Sequence, residues 1–362
     1  MSVLSISKLS VKFGMNEVLC GIDLDVAASE RVVLFGPSGV GKTVMLRAIA
    51  GLEPMARGRV YLEGKDVSDA PPEARHIGVA FQNFALYPHM SAWENIASPL
   101  RAQKCTKDDI TRRVKAVAAM LRIDHVLDHL PRALSNGQKQ RTALARALVA
   151  SPRLILFDDP LRNVDAKLRY EMRIELPRLL ARQEIAGIYV TQDFREAMAM
   201  GERVAVLLEG RIAQCALPEE IYDRPATIAI ARLFGDPPMN LIPARATAHA
   251  GGTMIEMGGW RRYFKVPVPV APVLGVRPEA ITLHEEDGAN RIPVHVMAVT
   301  PAGEHQIILL RLTDGTELVA SVKAMPTLTE LYAGLAPKAG ALFESTSGLV
   351  VASAPDMEEI EA

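Results

Sequence analysis

Short apolar runs alternate with helical stretches over the first 235 residues of the chain. The runs VVLF at 32–35, LILF at 154–157, IYV at 188–190 and RVAVLL at 203–208 have the length and apolar character of buried strands. Strands that alternate with helices usually form a mainly parallel sheet, which the helices cover. The pattern therefore predicts an α/β domain over residues 1–235.

A different pattern occupies the middle of this domain, between about Pro88 and Ala150. The strand-like runs stop there, and the segments DDITRRVKAVAAMLRI and QRTALARALVA repeat their apolar residues with helical periodicity. We therefore expect a helical subdomain, at about 88–150, inserted into the α/β core. The basic residues of LRYEMRIELPRL, at 168–179, are expected on a charged exterior face.

The segment GDPPMN at 235–240 interrupts both patterns, because Gly and Pro break helices and strands alike. After it come short β-rich segments, RIPVHVMAV, HQIILLRL and ELVASV, with turns such as TDGT. Short strands separated by turn residues are typical of a small barrel. Residues 236–362 are therefore predicted to form a second, C-terminal β-barrel domain.

Charge and cysteine usage narrow the class of protein. A formal net charge of −1 over 362 residues gives no electrostatic reason to expect nucleic acid as a partner. The three cysteines lie far apart without a CxxC pair, which is typical of a reducing compartment. The chain has no apolar run of about 18 residues, so we expect a cytosolic protein whose membrane association is peripheral.

The most specific motif in the chain is GPSGVGKT at 36–43, which matches the pattern G-x-x-x-x-G-K-[ST] directly after a strand and before a helical run. Glycines in such a loop let backbone N–H groups surround phosphate oxygens, a lysine reaches the outer phosphates, and a hydroxyl binds Mg²⁺. The alternative is a glycine-rich turn that fits by chance. The predicted phosphate-binding residues are Gly36, Pro37, Ser38, Gly39, Val40, Gly41, Lys42 and Thr43.

A second feature supports this prediction independently. The apolar run LILF ends in Asp158, and an acid at the end of such a strand can hold Mg²⁺ from the side opposite the hydroxyl of Thr43. Elsewhere a strand-end aspartate is often a turn former or a helix cap. Together the two motifs predict a site for ATP and Mg²⁺.

Several further segments resemble the ABC transporter ATPases. LSNGQKQR at 134–141 is similar to their LSGGQ-type signature, VAFQ at 79–82 to their Q-loop, RNVDAKLR at 162–169 to their D-loop region and VTQDFREAM at 190–198 to their switch segment. The resemblance implies a P-loop NTPase fold, with a RecA-like sheet core and an inserted helical subdomain. It also implies a head-to-tail dimer, in which ATP lies between the phosphate loop of one subunit and the signature of the other.

Three other segments, FALYPHMSAWENI, RIAQCALPEEIYDRPAT and GVRPEA, resemble the branch that drives importers of sugars, polyols and glycerol phosphate. That branch carries an OB-like C-terminal domain. The resemblance implies transmembrane permease subunits as partners, an extracytoplasmic solute-binding protein as an indirect partner, and a peripheral location at the cytoplasmic face of the inner membrane.

The resemblance also assigns roles to individual residues. Phe13 looks like the aromatic residue that stacks on adenine, although it could be an ordinary core phenylalanine. Gln82 resembles the residue that senses Mg²⁺ and the γ-phosphate and passes the signal to the permease. The signature residues that would face the ATP of the partner are Ser135, Asn136, Gly137 and Gln138. A serine at the start of a helix is also an everyday N-cap.

Four positions depart from the family pattern. Asp159 replaces the catalytic glutamate, Gln192 the switch histidine, Asn136 a signature glycine and Arg162 a D-loop serine. An aspartate withdraws its carboxylate by roughly 1.5 Å relative to a glutamate, and an amide cannot carry a positive charge or shuttle a proton.

We therefore expect this half-site to bind MgATP and to hydrolyse it poorly, beside a second, unlike ATPase subunit that keeps the glutamate and the histidine. The alternatives are a homodimer that hydrolyses ATP slowly with Asp159 and Gln192, and a non-catalytic nucleotide-binding regulatory subunit.

Overall fold

The computed structural model describes residues 2–249, 251–257, 259–265, 267–268, 271–288, 290–323, 330–336, 339–353 and 357–358. The chain divides into two compact units, Met1–Pro218 and Glu219–Ala362. The sequence predicted the boundary after residue 235, so the units divide at an earlier point than expected.

The first unit contains two sheets and a set of helices. An antiparallel sheet has the strand order β2-β1-β4-β5, and a six-stranded sheet has the order β10-β9-β3-β8-β7-β6. The strands are β1 (Ser2–Phe13), β2 (Asn16–Ala27), β3 (Arg31–Phe35), β4 (Arg57–Leu62), β5 (Lys65–Asp66), β6 (Gly78–Ala80), β7 (Leu154–Asp158), β8 (Ala186–Thr191), β9 (Arg203–Leu208) and β10 (Arg211–Ala216). The helices are α1 (Lys42–Ala50), α2 (Ala92–Ala102), α3 (Lys107–Met120), α4 (Asn136–Leu148), α5 (Ala166–Arg182) and α6 (Phe194–Met200).

The larger sheet is parallel from β9 to β6, and only β10 runs against its neighbour. Every residue of β7 and β8 is buried, as the continuous apolar runs of the sequence require when both faces of a sheet are covered. The carboxyl ends of parallel strands meet at one edge of the sheet. The chain therefore brings the residues that follow β3, β7 and β8 to the same edge.

Three helices, α2, α3 and α4, lie between β6 and β7 in the chain and confirm the inserted helical subdomain. Each begins at a polar residue whose side chain accepts a backbone N–H of the first turn: Ser91, Thr106 and Ser135. None of the described helices is long and apolar enough to cross a membrane.

The described part of the second unit is mainly β structure, with two short helices, α7 (Pro218–Asp223) and α8 (Ile228–Leu233), at its start. The strands described in it form three sheets, in the orders β11-β15-β21-β22, β12-β13-β14-β23 and β16-β20-β17-β18-β19. Trp260 and Phe264 are fully buried in a shared core with strand residues such as Leu274 and Ile308. The strands are β11 (Asn240–Pro243), β12 (Arg245–His249), β13 (Gly252–Met257), β14 (Trp260–Phe264), β15 (Pro272–Val276), β16 (Ile281–His284), β17 (Arg291–Ala302), β18 (His305–Leu312), β19 (Glu317–Val322), β20 (Glu330–Leu335), β21 (Ala341–Glu344), β22 (Val350–Ser353) and β23 (Met357–Glu358).

Candidate functional site

The loop GPSGVGKT connects β3 to α1 and turns sharply at its glycines. Gly41 is the N-cap of α1 and has φ of 107°, in the left-handed region where a Cβ is strained. At Gly36 a Cβ would lie 2.4 Å from the carbonyl oxygen of Leu207. Glycine is therefore required at both positions for the loop to pass this close to the sheet and to present the start of α1.

Lys42 and Thr43 form the first turn of α1, where backbone N–H groups have no partner inside the helix. The Lys42 ammonium is buried and donates to the carbonyl oxygens of Gly36 and Pro37, at 2.7 Å each. Burial lowers the pKa of Lys42, while the nearby carboxylates of Asp159 and Asp158 oppose that shift. The loop thus holds one cation at the N-terminal end of a helix.

Asp158, the last residue of β7, meets the phosphate loop directly. The Thr43 hydroxyl donates to its carboxylate, with 2.7 Å between Thr43 Oγ1 and Asp158 Oδ1. The two residues are 115 positions apart in the sequence, and the parallel sheet brings them together. A hydroxyl and a carboxylate at this distance form an oxygen pair of the kind that Mg²⁺ binds.

Asp159 follows in a left-handed backbone conformation, with φ of 46°. Its N–H donates to the carbonyl of Val190 on β8 at 3.1 Å, and its side chain is nearly buried. Burial raises the pKa of the Asp159 carboxyl, and the positive charges of Arg162 and Lys42 oppose this. Aspartate tolerates the left-handed region better than most residues, which fits this turn.

Gln192 lies just beyond the end of β8 and is exposed. Since Val190 on the same strand pairs with the backbone of Asp159, the two positions that depart from the family pattern lie at adjacent strand ends. The structure therefore brings Gln192 and Asp159 to the same edge of the sheet as the phosphate loop.

Gln82 lies in the turn after β6 and is half-buried. Its carbonyl oxygen accepts a hydrogen bond from the Asn163 side chain at 3.4 Å, and the same amide reaches Asn83 Oδ1 at 3.3 Å. Asn163 belongs to the segment RNVDAKLR, but nothing in the sequence indicated that it would contact the Gln82 turn.

The signature residues form the start of α4. Ser135 accepts the N–H of Gln138 at 3.2 Å, and the Gln138 side chain accepts the N–H of Ser135 at 2.9 Å, so the two make a reciprocal capping box. Asn136 is exposed, and a Cβ at Gly137 would lie 2.8 Å from Leu168 on α5. No hydrogen bond among the described residues joins this group to the phosphate loop of the same chain.

Phe13 ends β1, opposite Asn16 across the hairpin turn. The residue is 48% exposed, so it is not a core phenylalanine. An exposed aromatic ring at the end of a strand is free to stack on a flat ligand.

A polar network behind Asp159 was missed by sequence reasoning. Glu196 on α6 is buried and accepts hydrogen bonds from Tyr189 and Thr191, at 3.0 and 2.8 Å, and burial raises its pKa. Its other oxygen lies 4.0 Å from Arg169 Nε. Arg169 donates to the carbonyls of Arg162 and Val164, at 3.3 Å each. The exterior face expected for this basic segment is therefore wrong for Arg169, which is half-buried because it satisfies those carbonyls.

Comparison with known proteins places both units in described families. Residues 19–162 match the family model described as ABC transporter, and residues 274–334 match the TOBE domain. The second match confirms the OB-like C-terminal domain that the sequence predicted.

Similar proteins cover nearly the whole chain. An sn-glycerol-3-phosphate import ATP-binding protein of Cereibacter sphaeroides is 41% identical over 353 residues, which are 96% of this chain and 99% of that protein. A protein of the same description from Ruegeria pomeroyi is 39% identical over 97% of this chain and its own full length (100%). An alpha-glucoside transport ATP-binding protein of Rhizobium meliloti is 42% identical over 79% of this chain and 81% of its own.

The similarity spans 79–97% of this chain and 81–100% of these relatives' own length. The phosphate loop and the strand-end aspartate lie in the part that the ABC transporter model matches. The chain therefore belongs to the family of ABC transporter ATP-binding subunits, the ATPases that are coupled to transport.

Proposed function

We propose that this chain binds MgATP and energises an importer of a sugar, a polyol such as glycerol, or glycerol phosphate. The observation that carries the proposal is the 2.7 Å contact between Thr43 of the phosphate loop and Asp158 at the end of β7. The solute class follows from the printed descriptions of the relatives, which name sn-glycerol-3-phosphate and alpha-glucoside transport.

The residues at the loop fit a nucleotide phosphate. The ammonium of Lys42 is held by two neutral carbonyl oxygens, which an anionic phosphate oxygen can replace as a stronger acceptor. Space around Gly39 is open, since a Cβ there would meet nothing within 4 Å. Thr43 and Asp158 would hold Mg²⁺, with Gln82 as a further ligand, and Phe13 would stack on the base. Bound MgATP supplies the phosphoanhydride whose hydrolysis powers the transporter.

We further propose that this half-site hydrolyses ATP poorly. The carboxylate of Asp159 would orient the attacking water, but it is one methylene shorter than the glutamate it replaces. A placement error of about 1 Å can cost on the order of a hundredfold in rate. Gln192 can donate a hydrogen bond to a phosphate oxygen, but it cannot become a cation.

The proposed assembly is an asymmetric pair, in which this chain works beside an unlike ATPase subunit. Support comes from where the departures lie: Asp159 and Gln192 share one edge of the sheet, whereas the capping box of Ser135 and Gln138 on α4 is intact. In a head-to-tail pair these groups belong to different composite sites. The alternatives are a slowly hydrolysing homodimer and a regulatory subunit that binds nucleotide without hydrolysing it.

The permeases are proposed to bind at a cleft of about 1100 Å³ whose lining includes Phe81 and Tyr87, which flank Gln82 in the chain, and Pro99 and Arg146 of the helical subdomain. Arg146 on α4 holds this loop by donating to the carbonyls of Phe84 and Ala85, at 3.0 and 2.7 Å, and its guanidinium lies over the ring of Tyr87. A change at the nucleotide would thus reach the cleft through Gln82. In this proposal the chain lies at the cytoplasmic face of the inner membrane, with an extracytoplasmic solute-binding protein as an indirect partner.

Nucleotide affinity tests the phosphate loop. Lys42→Ala should weaken the binding of both MgATP and MgADP to the purified full chain, because the cation that faces the outer phosphates is lost. Phe13→Ala should weaken both to a smaller extent, since it removes only the stacking surface. Unchanged affinity in Lys42→Ala would refute the assignment of the loop.

The composition and turnover of the purified transporter test the asymmetric pair. Native mass measurement should find one copy of this chain with one unlike ATPase. In the reconstituted complex, Ser135→Arg should nearly abolish hydrolysis, whereas Asp159→Asn should leave most of it. Two copies of this chain, together with a collapse of turnover in Asp159→Asn, would establish the homodimer instead.

A further inference from the structure

Two of the departures from the family pattern contact each other. Arg162 lies three residues after Asp159, and its N–H donates to the Asp159 carbonyl at 3.3 Å, which closes a turn. This turn brings the guanidinium of Arg162 to 3.9 Å from the Asp159 carboxylate. The serine that Arg162 replaces could not reach this carboxylate or carry a charge.

The backbone of Arg162 is held by hydrogen bonds, and its side chain is exposed. Its carbonyl oxygen accepts from Arg169 at 3.3 Å, which anchors the turn to α5. Its side chain is 47% exposed, and the distance of 3.9 Å to Asp159 is too long for a hydrogen bond. Among the described residues the guanidinium has no other ion pair, so its donors are available to a ligand.

The negative charges around this turn favour a cation nearby. The outer end of a bound nucleoside triphosphate carries several negative charges, and Asp158 and Asp159 add two more carboxylates at the same edge of the sheet. Gln192 supplies no positive charge. Arg162 lies 3.9 Å from the Asp159 carboxylate, and the positive charges of Arg162 and Lys42 both oppose the rise that burial causes in the pKa of that group. Both cations therefore lie near the Asp159 carboxylate.

We propose that Arg162 binds the γ-phosphate of ATP at the phosphate loop of its own chain and makes this half-site discriminate ATP from ADP. This inference rests on the proposed binding of MgATP at that loop. A guanidinium offers several donors in a planar fork that suits phosphate oxygens. Arg162 thereby replaces the positive charge that the change to Gln192 removes, while Asp159 keeps the guanidinium near the site before nucleotide binds.

Dissociation constants of MgATP and MgADP for the full-length chain test the proposal. Arg162→Ser should weaken MgATP binding about tenfold or more, as expected for the loss of a charge-assisted hydrogen bond, and change MgADP binding less than twofold. Arg162→Lys should keep part of the preference, because it retains the charge without the fork. Arg178→Ser is the matched control, since it removes an exposed arginine about three turns into α5, and it should leave both affinities unchanged.

A second pair of variants separates nucleotide binding from simple pairing with Asp159. In an Asp159→Asn background, Arg162→Ser should still weaken MgATP about tenfold. If Arg162→Ser leaves the ratio of the ATP and ADP affinities unchanged in either background, the proposal is overturned. If both affinities also fall by the same factor, Arg162 only supports the fold. Lys42→Ala separates a failure of this inference from a failure of the proposed function. If the Lys42→Ala variant binds both nucleotides normally, the phosphate loop does not bind nucleotide and the proposed function is wrong.

Discussion

Asp159 and Glu196 are two carboxyl groups in one small region, and burial raises the pKa of both. Their surroundings differ in kind. Asp159 lies near the exposed cation of Arg162 and the buried cation of Lys42, whereas Glu196 accepts two hydroxyl hydrogen bonds inside the fold. A carboxylate at the edge of the site can take part in chemistry, and one enclosed by hydroxyl groups holds neighbouring elements together. Each location predicts a different response to pH and substitution.

For Asp159 the response is a pH profile of turnover in the reconstituted transporter. In the alternative homodimer, where every site uses the ionised Asp159 carboxyl, activity falls as the pH decreases, and it does so at a higher pH than for an ordinary aspartate because burial has raised the pKa. Arg162→Ser removes a cation that lowers this pKa and should there shift the acid limb further upward. In the proposed asymmetric pair most turnover occurs at the partner's site, so Arg162→Ser and Asp159→Asn should both leave the acid limb in place. A limb that moves upward in Arg162→Ser would support the homodimer.

For Glu196 the expected response is a change in the free energy of unfolding. The folded-state pKa of Glu196 lies above the ordinary value of 4.5. The protonated carboxyl therefore contributes most to the free energy of unfolding below pH 4.5, and this contribution is lost as pH rises through the folded-state pKa. Glu196→Gln keeps an acceptor for Tyr189 and Thr191 and should be at least as stable as wild type at pH 7. Glu196→Ala leaves both hydroxyls without that acceptor and should lose about 2–3 kcal/mol. Chemical unfolding at pH 4 and pH 7 measures both; equal losses in the two variants would contradict this account.

At the scale of elements, the starts of α2 and α4 use the same device in different places. Ser91 and Glu94 form a capping box at α2, and Ser135 and Gln138 form one at α4. Both satisfy backbone N–H groups that the helix itself cannot. Only the second box belongs to a segment that resembles the signature, and Gly137 lets that segment pack closely on Leu168 of α5. Substitutions of Ser91 and Ser135 therefore compare a serine that only caps its helix with one that is also expected to face a nucleotide.

Ser135→Ala and Ser91→Ala should each lower the free energy of unfolding by about 1 kcal/mol, the usual cost of a lost N-cap. In the reconstituted transporter, however, only Ser135→Ala should reduce ATP turnover, because its hydroxyl would also face the nucleotide of the neighbouring subunit. Denaturant titration and steady-state turnover on the same preparations provide the two readouts. Equal effects on turnover would mean that Ser135 acts only as a cap.

At the scale of the whole molecule, residues 219–235 pack with the second unit. The Arg277 guanidinium donates to the carbonyls of Tyr222 and Phe234 and lies 3.9 Å from the centre of the Tyr222 ring. Ala231 shares a small core with Phe343, and Thr227 forms a bridge with Leu349. The break in pattern at GDPPMN therefore marks a turn inside this unit, and the compact units separate after Pro218.

Two truncations test this division. A chain ending at residue 218 should be soluble and bind MgATP with nearly the affinity of the full chain, because the phosphate loop and Asp158 lie in a unit with its own core. A chain ending at residue 235 should aggregate more readily, since Ile228 and Ala231 would lose the apolar partners Met239 and Phe343 that follow residue 235. Light scattering and nucleotide titration compare the two. Better behaviour of the longer chain would favour the boundary at 235 that the sequence predicted.

The sequence alone determined those features that depend on residues close together in the chain. The α/β pattern, the helical insertion and the phosphate loop were readable because strand length, helical periodicity and a glycine-rich turn are local properties. The order of the signature-like segments identified the family, and the later matches confirmed it. The roles assigned to Phe13, Gln82 and the signature residues stay predictions, since the sequence and fold establish where these residues lie but do not test their chemistry.

Only the tertiary structure decided which side chains meet across long separations. Thr43 reaches Asp158 because two parallel strands end at one edge of a sheet, and Arg169 turns inward because carbonyls of the preceding loop need donors. The contact between Arg162 and Asp159 depends on a left-handed turn at Asp159 that no pattern of apolar residues encodes. Such contacts follow from packing and hydrogen-bond satisfaction in three dimensions, which a single sequence constrains only through the finished fold.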